Sequence, residues 1–357
     1  MEIIDKQTIE ALNWLRFVLN PETAMPTVTD WAALYRFADK QAIIGICNPT
    51  RFDVKIGIEI LSLWIGDLQQ IQLNSTRLNK RVEELGEYLG SAGFSFCILK
   101  GQGNAEMYPE PLMRMPGDID VWIDADEEVV YKYVKNRFPD AKVFFKHICF
   151  PLFNDVQVEV HATPHKFFCP LHNKRTQRWI EKNKEEQFKH KIHLTGIENE
   201  ICVPTVNFNA VFQLGHLLLH LYDEGFGLRH LVDYYYVLKN LEFSVEERDE
   251  FEKTLEHLGM LRFAKSIMWI EKEILGLPEK YVLLEPDYKH GQLLLADVLG
   301  GGNFGKYNEK IREKKSFYGR GSVKVQRLFS LMYFAPCEVV FPLIRKMKTA
   351  VKQIVDR

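Results

Sequence analysis

Two aspartates separated by one residue, Asp118 and Asp120, are the first indication of chemistry in this chain. On a β-strand, residues i and i+2 point to the same face, with Cα atoms roughly 6.5 to 7 Å apart. Two carboxylates placed in this way can converge on divalent cations, and magnesium prefers oxygen ligands of this kind together with substrate phosphates. A bare pair is also common on solvated strand faces, so the neighbouring residues decide its interpretation.

The flanking residues favour a metal site. Gly117 directly precedes the pair, and glycine permits a close approach of the backbone. Upstream, the apolar run 94–99 leads into Lys100 and Gly101, where glycine lets a phosphate chain approach backbone N–H groups. Downstream, Glu159 lies in a segment with a two-residue period and could bring a third carboxylate to the same face. Three acids beside a glycine loop suit metal-assisted phosphoryl or nucleotidyl transfer.

Two further residues near the acids each allow two interpretations. Arg114 could neutralise phosphate charge, or it could form a salt bridge that fixes the acidic strand. His161 shares the predicted face of Glu159 and could orient that carboxylate, contact substrate or make a structural hydrogen bond.

Two residue pairs further along the chain have helical spacing. His216 and His220 could chelate zinc, but no glutamate follows His216, so packing of their helix against the catalytic domain is favoured. Arg229 and Asp233 are also four residues apart and are predicted to pair along their own helix.

Helices and strands must position these residues, and the hydrophobic pattern predicts them. It indicates an α+β protein in three parts. Residues 1–88 have helical periodicity, with a capping signal at 29–30 and a long amphipathic stretch at 61–89. Residues 89–205 predict a small mixed sheet with strands at 94–99, 117–124 and 155–161, one or two strands within 143–153, and a helix at 126–135. The strand at 117–124 is expected to bury one face. Helical periodicity returns in 206–357, at 208–222, 228–238, 245–258 and 260–275.

The order of these motifs resembles a bacterial group of uncharacterised nucleotidyltransferases, within the fold shared by polymerase beta-like enzymes. The resemblance covers roughly residues 90 to 240. It is carried by Leu99-Lys-Gly101, Tyr108-Pro-x-Pro111, Arg114-x-x-Gly-Asp-Ile-Asp120, Val158-Glu-Val-His161, His216-x-x-x-His220 and Gly227-Leu-Arg-His-x-x-Asp233.

The resemblance implies Mg²⁺- or Mn²⁺-dependent transfer of a nucleoside monophosphate from an NTP to an acceptor hydroxyl. Asp118 and Asp120 would bind the metals, and Glu159 would bridge a metal or help to deprotonate the acceptor. Gly101 would lie under the triphosphate. The implied nucleotide-binding residues are Lys100, Gly101, Gln102, Arg114, Gly117 and His161.

The phosphate loop departs from the pattern of that superfamily. Lys100, Gly101 and Gln102 replace the usual Gly-Ser or Gly-Gly, so the serine that touches phosphate is missing, and Lys100 could substitute for it as a point charge. The acceptor could be a small molecule, a sugar phosphate or a protein. The alternative function is a catalytically inactive nucleotide- or partner-binding module with the same fold.

Composition excludes several other classes. The chain has 357 residues, of which 46% are hydrophobic and 26% charged, which argues against disorder. Its net charge of −2 gives no strong nucleic-acid signal. The six cysteines contain no C-x-x-C pair, which argues against a zinc ribbon or a disulfide framework. With an N-terminus that lacks signal-peptide character, this pattern predicts a cytoplasmic protein.

The basic C-terminal tail is the one strong shift in composition. Residues 320–357 hold eight Lys or Arg and two Asp or Glu, a net charge of +6. Within this tail, 328–344 is mostly apolar, but Glu338, Pro336 and Pro342 interrupt it, so a membrane span is not expected. Docking on the protein's own body is favoured, and weak peripheral contact with an anionic membrane is the alternative. The basic and aromatic stretch 314–327 is predicted to be a solvated loop rather than a polyanion contact.

Overall fold

Helices on both sides of a small sheet make up most of the chain. The computed structural model describes residues 5–307 and 325–342. In chain order the helices are α1 (Lys6–Leu19), α2 (Trp31–Lys40), α3 (Ile58–Ser91), α4 (Gly101–Ala105), α5 (Glu127–Arg137), α6 (Pro170–Gln187), α7 (Val206–Tyr222), α8 (Leu228–Lys239), α9 (Val245–Leu258), α10 (Leu261–Trp269) and α11 (Tyr288–Gly301). A π-helical turn, Ile270–Ile274, extends α10. Side-chain caps fix several helix starts, such as Asp30 on the backbone N–H of Ala33, which confirms the capping signal at 29–30.

The predicted mixed sheet is confirmed, and the α+β class with it. Its strands are β1 (Phe96–Leu99), β2 (Ile119–Ile123), β3 (Ile148–Cys149) and β4 (Val158–His161), in the order β1-β2-β4-β3. The central pair β2 and β4 is parallel, and both outer pairs are antiparallel. A separate two-stranded hairpin follows, formed by β5 (Lys191–His193) and β6 (Glu200–Cys202).

Both faces of the central strand β2 are buried, so the prediction of one buried face is wrong. Ile119 and Val121 pack on one side, as the period of two requires. On the other side Trp122 stacks on Phe208 of α7, with ring centroids 6.1 Å apart. Alternation of polar and apolar residues suggested a solvated face, but a helix from later in the chain covers it. Asp120 is therefore only 6% exposed.

Two hydrophobic cores share the long helix α3. The core of the helical body combines α1 and α2 with α7 to α11, so helices from the two ends of the sequence pack together. The core of the sheet is built from β1 to β4 and α5. The first half of α3 contributes Trp64 and Leu68 to the helical core, and its second half contributes Val82 and Leu85 to the sheet core.

The described part of the C-terminal tail lies against the helical body. Arg327 makes two hydrogen bonds of 2.7 Å to the carboxylate of Asp297 on α11. Leu331 and Phe334 are each 1% exposed, and the hydroxyl of Tyr222 donates to the carbonyl of Leu331. Residues 325–342 therefore pack on the protein itself, as the docking interpretation expected. The remaining basic residues of the tail, and 314–324 of the predicted loop, lie outside the described residues.

None of the helices within 5–307 and 325–342 combines the length and the apolar character that a bilayer span requires. Of the stretch 328–344, in which no span is expected, residues 328–342 belong to the described part.

Candidate active site

The three predicted carboxylates meet in one cleft. Asp118 directly precedes β2, Asp120 lies within it, and Glu159 lies in β4 with its Cα paired to that of Asp120. Partners in a parallel ladder point to the same face, so the pairing brings these two carboxylates side by side. The cleft has a volume of about 770 Å³ and is lined by all three acids, by Lys100 and Gly101, and by residues of α7 and α8. That volume is typical of a small-molecule site.

Burial and the neighbouring charges shift the pKa values of the three acids in different directions. Burial, followed by the negative charges of Asp120 and Asp118, raises the pKa of Glu159 to about 8. Burial and the charge of Asp120 also raise the pKa of Asp118. At Asp120 burial acts in the same direction, but the Lys100 ammonium and the His161 ring outweigh it and hold the pKa of this carboxyl below its usual range.

This donor set fits the metals that the resemblance implied. Magnesium and manganese take carboxylate oxygens, and a divalent cation would relieve the repulsion among Asp118, Asp120 and Glu159. A second possible ligand group overlaps the first, because His147, Glu159 and His161 have ligand atoms within 4.8 Å of one another. Since imidazole suits transition metals better than magnesium, Mn²⁺ deserves testing beside Mg²⁺.

Glu159 leads to a stability prediction. Between pH 4.5 and about pH 8 the carboxyl group of Glu159 is ionised in the unfolded chain but stays protonated in the folded protein, because folding raises its pKa. The resulting loss of stability is absent below pH 4.5 and complete above pH 8. We expect Glu159→Gln to raise the melting temperature of the metal-free protein at pH 8 and to leave it nearly unchanged at pH 4.5.

Thermal melts in EDTA at the two pH values measure this effect. Glu181→Gln, the same change at an exposed position of α6, is the matched control and should alter neither melt. An equal rise in the melting temperature of Glu159→Gln at both pH values would show that ionisation of this carboxylate does not cause the loss of stability.

Lys100 is held beside the acids by an unusual backbone conformation. Its φ of 53° lies in the left-handed region that favours glycine. Its Nζ donates to Asp120 Oδ2 at 2.8 Å and contacts Nε2 of His216 at 3.0 Å. The ammonium thus lies within the cleft, and its contacts there are to a carboxylate and an imidazole.

The glycine loop predicted after Lys100 is instead the short helix α4. Gly101 at its start lines the cleft, and Asn104 from the same helix lines it as well. Gln102 is 4% exposed and does not line the cleft, so its position does not support the predicted contact with nucleotide. A helix turns successive side chains by about 100°, which points Gln102 away from the side that Gly101 and Asn104 share.

His161 orients Asp120 rather than Glu159. Its Nε2 lies 2.8 Å from Asp120 Oδ1, so Lys100 and His161 engage both oxygens of this carboxylate. The partners of Glu159 are His147, with Nδ1 at 3.0 Å, and Gln157, with Nε2 at 2.9 Å. Burial and the neighbouring His161 ring lower the pKa of His147 to about 4, so His147 is neutral at pH 7.

Arg114 pairs with Asp233, which corrects two predictions. Its guanidinium makes two 2.7 Å hydrogen bonds to that carboxylate, and the hydroxyl of Tyr108 donates to the same group. The arginine does not bridge to the acidic strand, and Arg229 does not pair with Asp233 along α8. Arg229 instead donates to the carbonyl of Met115 at 3.0 Å.

Gly117, one of the predicted nucleotide-binding residues, lies beside the guanidinium of Arg229. A Cβ at Gly117 would lie 3.6 Å from Nη1 of Arg229, and both residues line the cleft. Burial and the nearby charge of Arg114 lower the pKa of Arg229 to about 10. Nε of Arg229 is buried without a hydrogen-bond partner among the described residues. Arg229 thus has donor capacity left beside the acids.

Sequence reasoning missed the contribution of α7 and of Lys146. His216 and His220 line the cleft, with their Nε2 atoms 2.8 Å apart, instead of serving only to pack the helix. Lys146 also lines it, and burial together with the charge of Lys100 lowers its pKa. Among the described residues no hydrogen bond or ion pair is found for Lys146. The spacing of the two histidines on an otherwise apolar helix was a usable signal, but Lys146 lies in an irregular segment that gave none.

The order of the elements and the composition of this cleft can be compared with known families. A family model described as "Uncharacterised nucleotidyltransferase" matches residues 27–276, which is most of the chain. The chain belongs to this family of nucleotidyltransferases. Membership supports nucleotidyl transfer as the general activity, and the resemblance predicted from the sequence is confirmed.

Among solved structures, an antigenic nucleotidyltransferase-like protein from Paracoccidioides brasiliensis is similar in part. Its sequence identity is 13%, and the alignment covers 55% of this chain and 92% of the other at a TM-score of 0.35. The comparison with curated proteins gave no significant match.

Proposed function

We propose that this nucleotidyltransferase moves a nucleoside monophosphate from an NTP to a hydroxyl of an acceptor, with Mg²⁺ or Mn²⁺ as cofactor. The observation that carries the proposal is the meeting of Asp118, Asp120 and Glu159 in one cleft, on strands whose register fixes two of them side by side. The acceptor class stays open among small molecules, sugar phosphates and protein side chains.

The reaction exchanges a phosphoanhydride bond for a phosphate ester bond. The bond from the α-phosphorus to its bridging oxygen breaks and pyrophosphate leaves, while the acceptor oxygen bonds to the α-phosphorus and loses its proton. A metal held by Asp118, Asp120 and Glu159 would polarise the α-phosphate and lower the pKa of the attacking hydroxyl. If Glu159 does not bridge a metal, its carboxylate would instead help to deprotonate the acceptor hydroxyl.

The cations of the cleft account for binding of a triphosphate. Lys146 and Arg229 have unused donor capacity, and Lys100 adds positive charge next to Asp120. Gly101 offers backbone at the start of α4, beside Lys100. In this proposal Lys100 takes the place of the missing serine of the phosphate loop as a point charge.

A second candidate function is a nucleotide-binding module without catalysis. Both oxygens of Asp120 are engaged by Lys100 and His161, so an ammonium already supplies positive charge where the proposed enzyme needs a metal. In such a module Lys100 would keep this contact when nucleotide binds, and binding would not require a divalent cation.

A thermal-shift panel of the four NTPs, each with Mg²⁺, with Mn²⁺ or with EDTA, separates the two functions. A ligand at 100 times its dissociation constant stabilises a protein by about 2.7 kcal/mol, which shifts the melting temperature measurably. The enzyme predicts a shift that requires both nucleotide and metal, whereas the module predicts a shift that persists in EDTA. Absence of a shift with every NTP would contradict both. Transfer of label from an α-labelled NTP into extract fractions would then identify the acceptor.

A further inference from the structure

Two cysteines and a histidine that are distant in sequence meet outside the cleft. Cys169 caps the start of α6, His172 lies in its first turn, and Cys337 lies in the C-terminal segment 325–342. One ligand atom from each lies within 4.8 Å of the others, and none of the three lines the cleft. Cys169 is 2% exposed, and the side chains of Cys337 and His172 are partly buried.

A buried carboxylate supports this cluster. The side chain of Glu338 is fully buried and lies 3.2 Å from Nδ1 of His172. The same carboxylate accepts from the backbone N–H groups of Phe168, at 2.7 Å, and Cys169, at 3.2 Å. Capping the start of α6 explains the backbone contacts, but it does not explain why a second sulfur and an imidazole join there. A carboxylate that holds one ring nitrogen of a metal-ligating histidine is a recurrent second layer of zinc sites.

We propose that Cys169, His172 and Cys337 bind a zinc ion that clasps the C-terminal segment to α6. Zinc binds thiolate sulfur at about 2.3 Å and histidine nitrogen at about 2.0–2.1 Å in tetrahedral geometry, so the ligands need to close by only a fraction of an ångström to about an ångström. The two thiol protons leave to solvent, and the two thiolates offset the charge of the ion. A water molecule completes the four ligands, and Glu338 stays in the second layer.

The charge and softness of the set select the metal. Two thiolates with one imidazole favour zinc over magnesium or calcium, which take oxygen ligands. Ligands from distant parts of a chain close a long loop between Cys169 and Cys337, so the ion stabilises the docked position of 325–342. This role is structural, and it is independent of the reaction in the cleft.

Metal analysis and cobalt spectroscopy of the full chain test the site. We expect protein isolated without chelators or a histidine tag to bind one Zn²⁺ per chain. Replacement by Co²⁺ should give the sulfur-to-cobalt charge-transfer absorption and the intense visible bands of a tetrahedral thiolate site. Because Cys149 also lines the cleft, loss of the band in the Cys169 and Cys337 variants described next separates this site from the cleft. Wild-type protein that takes up Co²⁺ without the charge-transfer band would overturn the proposal, and this measurement needs no variant.

Variants locate the ligands. Cys169→Ser and Cys337→Ser should each abolish the charge-transfer band or weaken Zn²⁺ binding by at least 100-fold, and Glu338→Gln should weaken binding by about 10- to 100-fold. Cys202→Ser is the matched control, because Cys202 is a partly buried cysteine outside the cluster, and it should bind as the wild type does. Unchanged Zn²⁺ binding in both ligand variants would overturn the proposal. A Cys169–Cys337 disulfide in metal-free protein isolated without reductant would overturn it as well.

Discussion

Asp120→Asn is expected to lower the rate of nucleotidyl transfer by about 10²- to 10³-fold, the usual effect of removing one positioned charge from a catalytic site. Asparagine keeps the volume of the side chain but removes the negative charge that holds a metal. In the structure this carboxylate lies between Lys100 and His161, with Glu159 beside it in the neighbouring strand. Release of pyrophosphate, or transfer of label from an α-labelled NTP, measures the rate once an acceptor is found.

Nucleotide binding gives a second readout that needs no acceptor. The Mg²⁺-dependent part of the thermal shift with NTP should disappear in Asp120→Asn. The matched control is Asp124→Asn, one residue beyond the same strand, where the carboxylate pairs with Lys184 outside the cleft. A rate loss under about threefold in Asp120→Asn, or an unchanged metal-dependent shift, would place the metal elsewhere.

Arg114→Met is expected to destabilise the fold by about 3–5 kcal/mol, because it leaves the carboxylate of Asp233 buried without its cation. Both side chains of the pair are about 95% buried, and two hydrogen bonds of 2.7 Å join them. Tyr108 continues to donate to Asp233 and cannot neutralise its charge. Urea denaturation at neutral pH measures the free energy of unfolding.

A double-mutant cycle separates the pair from the packing around it. Arg114→Met combined with Asp233→Leu removes both charges, and it should recover a large part of the stability lost in Arg114→Met. The surface pair of Arg51 and Glu110 is the control, and Arg51→Met there should cost no more than about 1 kcal/mol. A similarly small loss for Arg114→Met would show that this buried pair does not support the fold.

Most of the helices and the central strands could be predicted from the sequence because each carries its own periodicity, whereas α6 and α11 were not predicted. The long helix α3 was expected at 61–89 and spans Ile58–Ser91, and α9 was expected at the residues where it lies. The acids could be placed together for the same reason, since a period of two fixes which face a strand residue takes. The local sequence pattern therefore predicts these strands and the face of the sheet on which the carboxylates lie.

The partners of these residues depend on contacts that local pattern does not encode. Arg114 and Asp233 are 119 residues apart, and Lys100 and His216 are 116 residues apart, so no local pattern indicated that either pair would meet. The predicted pair of Arg229 and Asp233 was wrong because a buried carboxylate binds the cation that best satisfies both oxygens, and a guanidinium from another element did so with two bonds. Cys169 and Cys337 meet in the same way, over a separation that no spacing rule covers.

The shared helix α3 has a consequence for how the chain folds. At about 1.5 Å per residue, its 34 residues run for about 51 Å and supply apolar side chains to two cores in succession. Deletion of residues 1–88 would remove Leu78, Val82 and Leu85 from the core of the sheet and expose the apolar face of the sheet to water. Loss of order in either core therefore weakens the helix that the other core needs, so the sheet and the helical body are expected to unfold as one cooperative unit.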